Sequence, residues 1–318
     1  MSFIAEISQS ESTQLKSGWQ LFQLLRNGKL MPGLAWRNPA YRRKFMLRSL
    51  ATPFNTLRLL NALAQQPQLM QMLNVQPGLP CRLHRPWLSI NMSRTQAIDA
   101  LCWHYQQFAN ALPGRVFNHY LTPNGVTLAA LSGKDDQIFT VRLRADAMQD
   151  KEGEATLQFC DAQETMLAEL TFTLCRFGGN NTLYIGGMQG AKAHVPHERI
   201  QMATKACHGL FPKRLLLEVA MTLGQHLGAE QIRAVSNETH IYRSLRYRRK
   251  KQEHLHADYN SFWASIGAHV DERGDYVLPC EMPRKAMEDI ASKKRAEYRR
   301  RYALLDSLHQ QTRQMCQR

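Results

Sequence analysis

The chain has 318 residues, 41 Lys and Arg against 26 Asp and Glu, a formal charge of +15, and 44 % apolar side chains. That composition suits a globular protein of about two domains and excludes a disordered or fibrous chain. No run approaches the roughly 18 apolar residues of a membrane span, and the start lacks the basic and apolar regions of a signal peptide. Seven scattered cysteines form no CxxC pair, so neither a disulfide framework nor a cysteine-based zinc site is expected. The expected setting is cytoplasmic.

The charge is uneven. Residues 1–124 carry a net +10, residues 125–240 a net −2, and residues 241–318 a net +7. Basic ends around a near-neutral centre call for an anionic partner, whether a phospholipid surface, a nucleic acid or a phosphorylated ligand, with a merely solvated basic surface as the bland alternative. Three parts are expected: a basic helical region (1–80), an α+β core (81–280) and a basic C-terminal helix (281–318).

In Gln14–Arg26, Leu15, Trp19, Phe22 and Leu25 recur at helical spacing, and Asn27-Gly28 supplies a stop. Tyr41–Leu50 is strongly basic, with Arg42, Arg43 and Lys44 as candidate anion contacts. Pro53 and Pro67 can each open a helix, near 53–65 and 67–74. Leu83–Ile90 reads as an edge strand interrupted by Pro86. Ser93-Arg-Thr-Gln96 is a capping box for a helix that runs to Pro113-Gly114. On it, His104 reads as a packed core residue.

From 116 to 187 the pattern is β-like. Candidate strands are 125–131, 137–144, 155–160, 166–176 and 182–187, separated by turn chemistry such as Asp150–Gly153 and Gly178-Gly-Asn-Asn181. Serial short strands predict a mainly antiparallel sheet. Helices follow near 197–207 and 212–227, short strands at 231–236 and 275–279, and a long helix over 283–308 that carries Arg299, Arg300 and Arg301 beside Tyr298 and Tyr302.

No nucleophile elbow, zinc-protease or phosphate-loop motif is present. His194-Val-Pro-His197 and His254-x-His256 have ligand-like spacing without carboxylate or cysteine companions, so no metal is expected. The best local feature is Thr182–Lys192, a strand ending in Gly186, Gly187, Gln189, Gly190 and Lys192. Such glycines let a ligand's phosphates approach the backbone, and a lysine adds charge. A bulged strand and a turn would need the same glycines.

The order of helix, antiparallel strands, glycine-bearing strand end, helix and strand resembles the GNAT-type N-acyltransferase fold over about 83–280. The resemblance implies an acyl-CoA donor held at a splayed central strand. It also implies a tyrosine acid on the helix after the next strand, for which Tyr242 and Tyr259 are the candidates, and a carboxylate base such as Glu169. The loop departs from the family pattern, with Lys192 where a glycine is expected. A second resemblance covers nearly the whole chain. Tyr184–Gly190, Phe211-Pro-Lys-Arg-Leu215, Val235-Ser-Asn237, Tyr259-Asn-Ser-Phe-Trp263 and Ser292–Tyr302 are similar to the VirK/YbjX family of enterobacteria. That likeness implies a role in the envelope: survival of cationic antimicrobial peptides, virulence, and display of an outer-membrane surface protein. It supplies no catalytic residues. The expectation is thus a cytoplasmic-side protein, peripheral at the inner membrane, with an acyltransferase-like core acting on an envelope component. The alternative is a non-enzymatic protein that binds anionic lipid or RNA.

Overall fold

The computed structural model describes residues 15, 17–247 and 258–317. His254 and His256 lie outside them. The chain divides into two compact units, Met1–His84 and Arg85–Arg318.

The first unit is helical: α1 (Gly18–Arg26), α2 (Leu34–Arg37), α3 (Pro39–Ala51), α4 (Pro53–Ala64), α5 (Leu69–Val75) and a 3-10 turn, Leu79–His84. Ser17 accepts the Gln20 amide at 3.2 Å, and Asn38 accepts that of Ala40 at 2.8 Å. Each thus satisfies an otherwise orphaned N–H at a helix start. Pro39 and Pro53 sit in first turns, where no amide donor is needed. Leu21, Leu25, Trp36, Phe45, Leu60 and Leu79 form the core. Trp36 packs edge-on against Phe45 and donates to Pro77 O at 2.7 Å.

The second unit holds α6 (Arg94–Ala111), α7 (Gly114–Tyr120), β1 (Val126–Ser132), β2 (Ile138–Arg144), β3 (Ala155–Asp161), β4 (Met166–Phe177) and β5 (Asn180–Gly190). There follow α8 (His197–Ala206), α9 (Pro212–His226), β6 (Gln231–Ala234), α10 (Tyr259–Ser265), β7 (His269–Val270), β8 (Tyr276–Leu278) and α11 (Ser292–Cys316). Both capping-box bonds between Ser93 and Gln96 form. The sheet order is β1-β2-β3-β4-β5-β6-β8-β7, antiparallel except for β5 beside β6. Gly178 and Gly179, with φ of +61° and +90°, make the two-residue turn between β4 and β5, which requires left-handed backbone at both positions. β4 is buried at nearly every residue, so both of its faces are covered. α9 is buried from Leu215 to Gly224, against β3, β4 and β5 and beneath α11. The fold is α+β, as expected.

Three elements differ from expectation. Leu83–Ile90 is no strand: Leu88 has φ +67°, which breaks an extended run, and its backbone bonds are scattered, from Leu88 N to Lys151 O at 2.8 Å, from Ile90 N to Thr239 O at 3.0 Å and in the isolated Ser89–His240 bridge. α7 occupies residues that looked β-like, because Val116, Phe117 and Tyr120 face the core at helical spacing. The last helix begins at Ser292 instead of Pro283 and ends at Cys316 instead of Leu308. Ile290 is buried and anchors the preceding loop, while the buried face of Leu304, Leu305 and Leu308 continues through Thr312 and Cys316.

Candidate functional site

Three hairpin-linked strands set the floor of the site. Gln158 on β3, Glu169 on β4 and Gln189 on β5 are direct cross-strand partners, so they form a polar row on one face of the sheet. The 145–154 loop between β2 and β3 brings further polar groups: Asp146, Asp150, Glu152 and Glu154 are all buried. Gly153 makes the approach possible. Its φ is +156°, and a β-carbon there would lie 2.7 Å from Phe172 O.

Glu152 is the hub, 1 % exposed. Gln189 Nε2 donates to its two oxygens at 3.1 and 3.2 Å. His240 Nε2 lies 3.6 Å away, and Tyr242 shares a hydrogen bond with it. Glu152 also fills the space over the strand: β-carbons on Gly186 or Gly187 would collide with it.

Glu169 accepts from Gln149 Nε2 at 2.6 Å and from Gln158 Nε2 at 3.5 Å. Burial, with Asp146 and Glu152 nearby, pushes its carboxyl up to about 7, against the opposing pull of Gln158 and Lys192.

β6 leaves the sheet early. Its last contact with β5 is Val235 N to Ile185 O at 3.0 Å, and β5 continues alone on that side to Gly190. Tyr259, the first residue of α10, meets this freed edge: its hydroxyl accepts the Met188 amide at 3.2 Å. Its ring stacks on His240 at 5.3 Å. Asn237 fixes the tyrosine, accepting the Tyr259 amide at 2.9 Å and donating to Asp258 at 3.1 Å. Trp263 Nε1 donates to Val235 O at 2.9 Å. Burial first, then Glu152, holds the Tyr259 and Tyr242 hydroxyls above their usual range, so both keep their protons.

The structure thus gathers Glu169, Gln189, Gly186, Gly187, Tyr242 and Tyr259 around one carboxylate, Glu152, which in the sequence has the look of turn chemistry. The available signal was the density of acids from Asp146 to Glu154 between two apolar strands. Of the two readings of the glycines, the bulged strand is present: Gly186 is the extra residue where the register slips between Thr171–Gly187 and Phe172–Ile185. Gly186 and Gly187 make room for Glu152, and β5 stays paired with β4 as far as Ala168–Gly190. Gly190 faces open space, with Lys213 Cε the nearest atom at 3.8 Å, and Lys192 is exposed.

Of the basic candidates, Arg43, Lys44, Arg299 and Arg300 are exposed. Arg42 Nη1 is held by Trp36 O at 2.6 Å, and Arg301 Nε by His208 O at 2.8 Å. His194 and His197 are exposed, and among the described residues no group of His, Cys, Asp and Glu is arranged to hold a metal. His104 is a core residue between Tyr120 and the Leu174 amide, its value pushed down to about 3 by burial.

The profile of a family described as a protein of unknown function, DUF535, matches residues 35–314. A protein of Escherichia coli K12 described as uncharacterized protein YbjX is 48 % identical over 311 residues, which cover 98 % of this chain and 94 % of that one. An uncharacterized Haemophilus influenzae Rd protein is 31 % identical over 170 residues, covering 54 % of this chain and 55 % of its own. On this evidence the chain belongs to the DUF535 family, in its YbjX/VirK group.

Proposed function

We propose that the Arg85–Arg318 unit performs acid–base chemistry of the acyl-transfer type on an envelope component, from the cytoplasmic side of the inner membrane. The observation that carries this reading is a carboxyl poised near neutrality on β4 and a protonated tyrosine on the freed edge of β5, both within the electrostatic reach of Glu152. A base is best matched to its task when its pKa lies near the working pH, and Glu169 meets that condition. Tyr259 keeps its proton and is the candidate donor to the leaving sulfur. In the reaction, Glu169 removes a proton from an amine acceptor and the amine forms a bond to the acyl carbon. The carbon–sulfur bond of an acyl thioester such as acyl-CoA breaks, and Tyr259 protonates the sulfur. The phosphates of such a donor have the open end of β5, Gly190 to Lys192, to lie against. The envelope assignment comes from the VirK/YbjX resemblance.

The test is turnover of acyl-CoA species with amine acceptors by purified protein. Glu169→Gln is expected to keep donor binding and lose about 100-fold or more in rate. Absence of both binding and turnover in the parent protein overturns the reading. A second reading has its own support: Glu152 closes the faces of Gly186 and Gly187, as in a protein whose polar cluster serves the fold alone. In that case the basic surfaces carry the function by binding lipid or RNA. No turnover in the parent protein, with binding to lipid or RNA retained, would favour it.

A further inference from the structure

The N-terminal unit carries a surface that the acyl-transfer reading does not use. α1, α3 and α4 enclose a groove of about 240 Å³ lined by Trp19, Phe22, Met46, Leu50 and Leu57, with Arg26 at its side. Around it, large apolar side chains face solvent. Leu47 is 62 % exposed, Leu50 65 %, Phe54 88 % and Trp19 57 %. Leu47 and Leu50 stand one turn apart on α3, and Phe54 and Leu57 one turn apart on α4, so each pair shares a helix face. Residues 17–84 contain nine Lys and Arg, of which Arg82 alone is buried, and no Asp or Glu.

We infer that this face docks on an anionic lipid bilayer and that the groove receives an acyl chain. The two halves of the surface ask for the two halves of one partner. The apolar walls need hydrocarbon, and the acid-free cationic surround needs a negatively charged headgroup layer. The same face of a second copy would bring further cations from residues 17–84 with no acid of that segment to meet them. A nucleic acid would match the charge and leave Phe54, Leu47 and Leu50 in water. This inference is independent of any chemistry at Glu169.

The experiment uses the full-length protein with phosphatidylglycerol and phosphatidylcholine vesicles, each with and without brominated acyl chains, and a Trp19→Phe variant. Expected are binding to the anionic vesicles alone and bromine quenching of emission that disappears in Trp19→Phe. Leu50→Glu with Phe54→Glu, both on exposed side chains, is expected to lower partitioning at least tenfold without changing the thermal midpoint. Equal binding to neutral vesicles, or no binding, overturns the inference. Binding to anionic vesicles with no Trp19-dependent quenching overturns the acyl-chain groove, and displacement of the protein from vesicles by RNA at low salt with Trp19 unquenched points to nucleic acid instead.

Discussion

The two units spend their charged and apolar side chains in opposite ways. From residue 15 to 84 there is no acid at all, and several of the largest apolar side chains stay in water. After residue 85 lie all the acids except Glu6 and Glu11, and seven of them are buried: Asp146, Asp150, Glu152, Glu154, Glu169, Glu218 and Asp275. Buried carboxylates are costly unless paired or hydrogen-bonded, and here most are held by donors: Arg214 and His309 on Glu218, Tyr105 on Glu154, Tyr184 on Asp275. The contrast separates a surface built to meet something from an interior built to hold charge. It also says where function is to be sought in each unit: outside in the first, inside in the second.

If the interior carries real charge tension, pH will reveal it. Glu169 is raised from 4.5 to about 7, so the fold favours its neutral form, and the stability this contributes is lost as pH rises from 4.5 through 7. His104 is lowered from 6.5 to about 3, so its contribution is present above 6.5 and is lost as pH falls toward 3. Between pH 4.5 and 6.5 the two trends oppose and nearly cancel. Glu169→Gln removes one of them. The variant is expected to be more stable than the parent above pH 7, by up to roughly 3 kcal/mol, and to lose stability steadily as pH falls below 6.5. Denaturant melts across pH 4–8 check this, and parallel curves for the two proteins would refute it.

The next effect sharpens the reading of the strand glycines. Gly186→Ala puts a β-carbon against Glu152 O and 2.8 Å from Leu88 Cδ1. It should cost about 1–3 kcal/mol as an overpacked site. Gly190→Ala enters open space and should stay within about 0.5 kcal/mol. Equal losses in thermal melts would mean that Glu152 does not occupy that space.

A smaller loss is expected at Glu154. Tyr105→Phe removes the hydroxyl that donates to its Oε2 at 2.7 Å, for about 1–2 kcal/mol. The smallest belongs to the other unit. Arg43→Glu with Lys44→Glu, on exposed side chains, should change stability by less than about 0.5 kcal/mol while weakening binding to anionic vesicles. A large drop in melting temperature would place these residues in the fold instead of on a docking face.

Local chemistry was legible in the sequence. The capping box at Ser93, the Gly178-Gly179 turn, the five core strands and the stripe of α9 are written in neighbouring residues. Features that depend on distant contacts were not. α7 opens on a glycine and declares itself only by packing against the sheet. Leu83–Ile90 has the composition of a strand and is broken by the left-handed backbone of Leu88. Glu152 sits in an Asp-rich turn by every local criterion, and it becomes the centre of the site because Gly153 and the paired glycines of β5 let it descend onto the strand. Glu169 and Tyr259 could be named from a resemblance, whereas their shared neighbour could not.

The most direct test of acyl transfer at this edge is amide NMR of the labelled protein titrated with an acyl-CoA. Saturable shifts of Met188, Gln189, Gly190 and Lys192 are expected, with the Met188 amide moving most as its bond to Tyr259 is disturbed. Unmoved resonances from Gly186 to Lys192 at saturating acyl-CoA would contradict it.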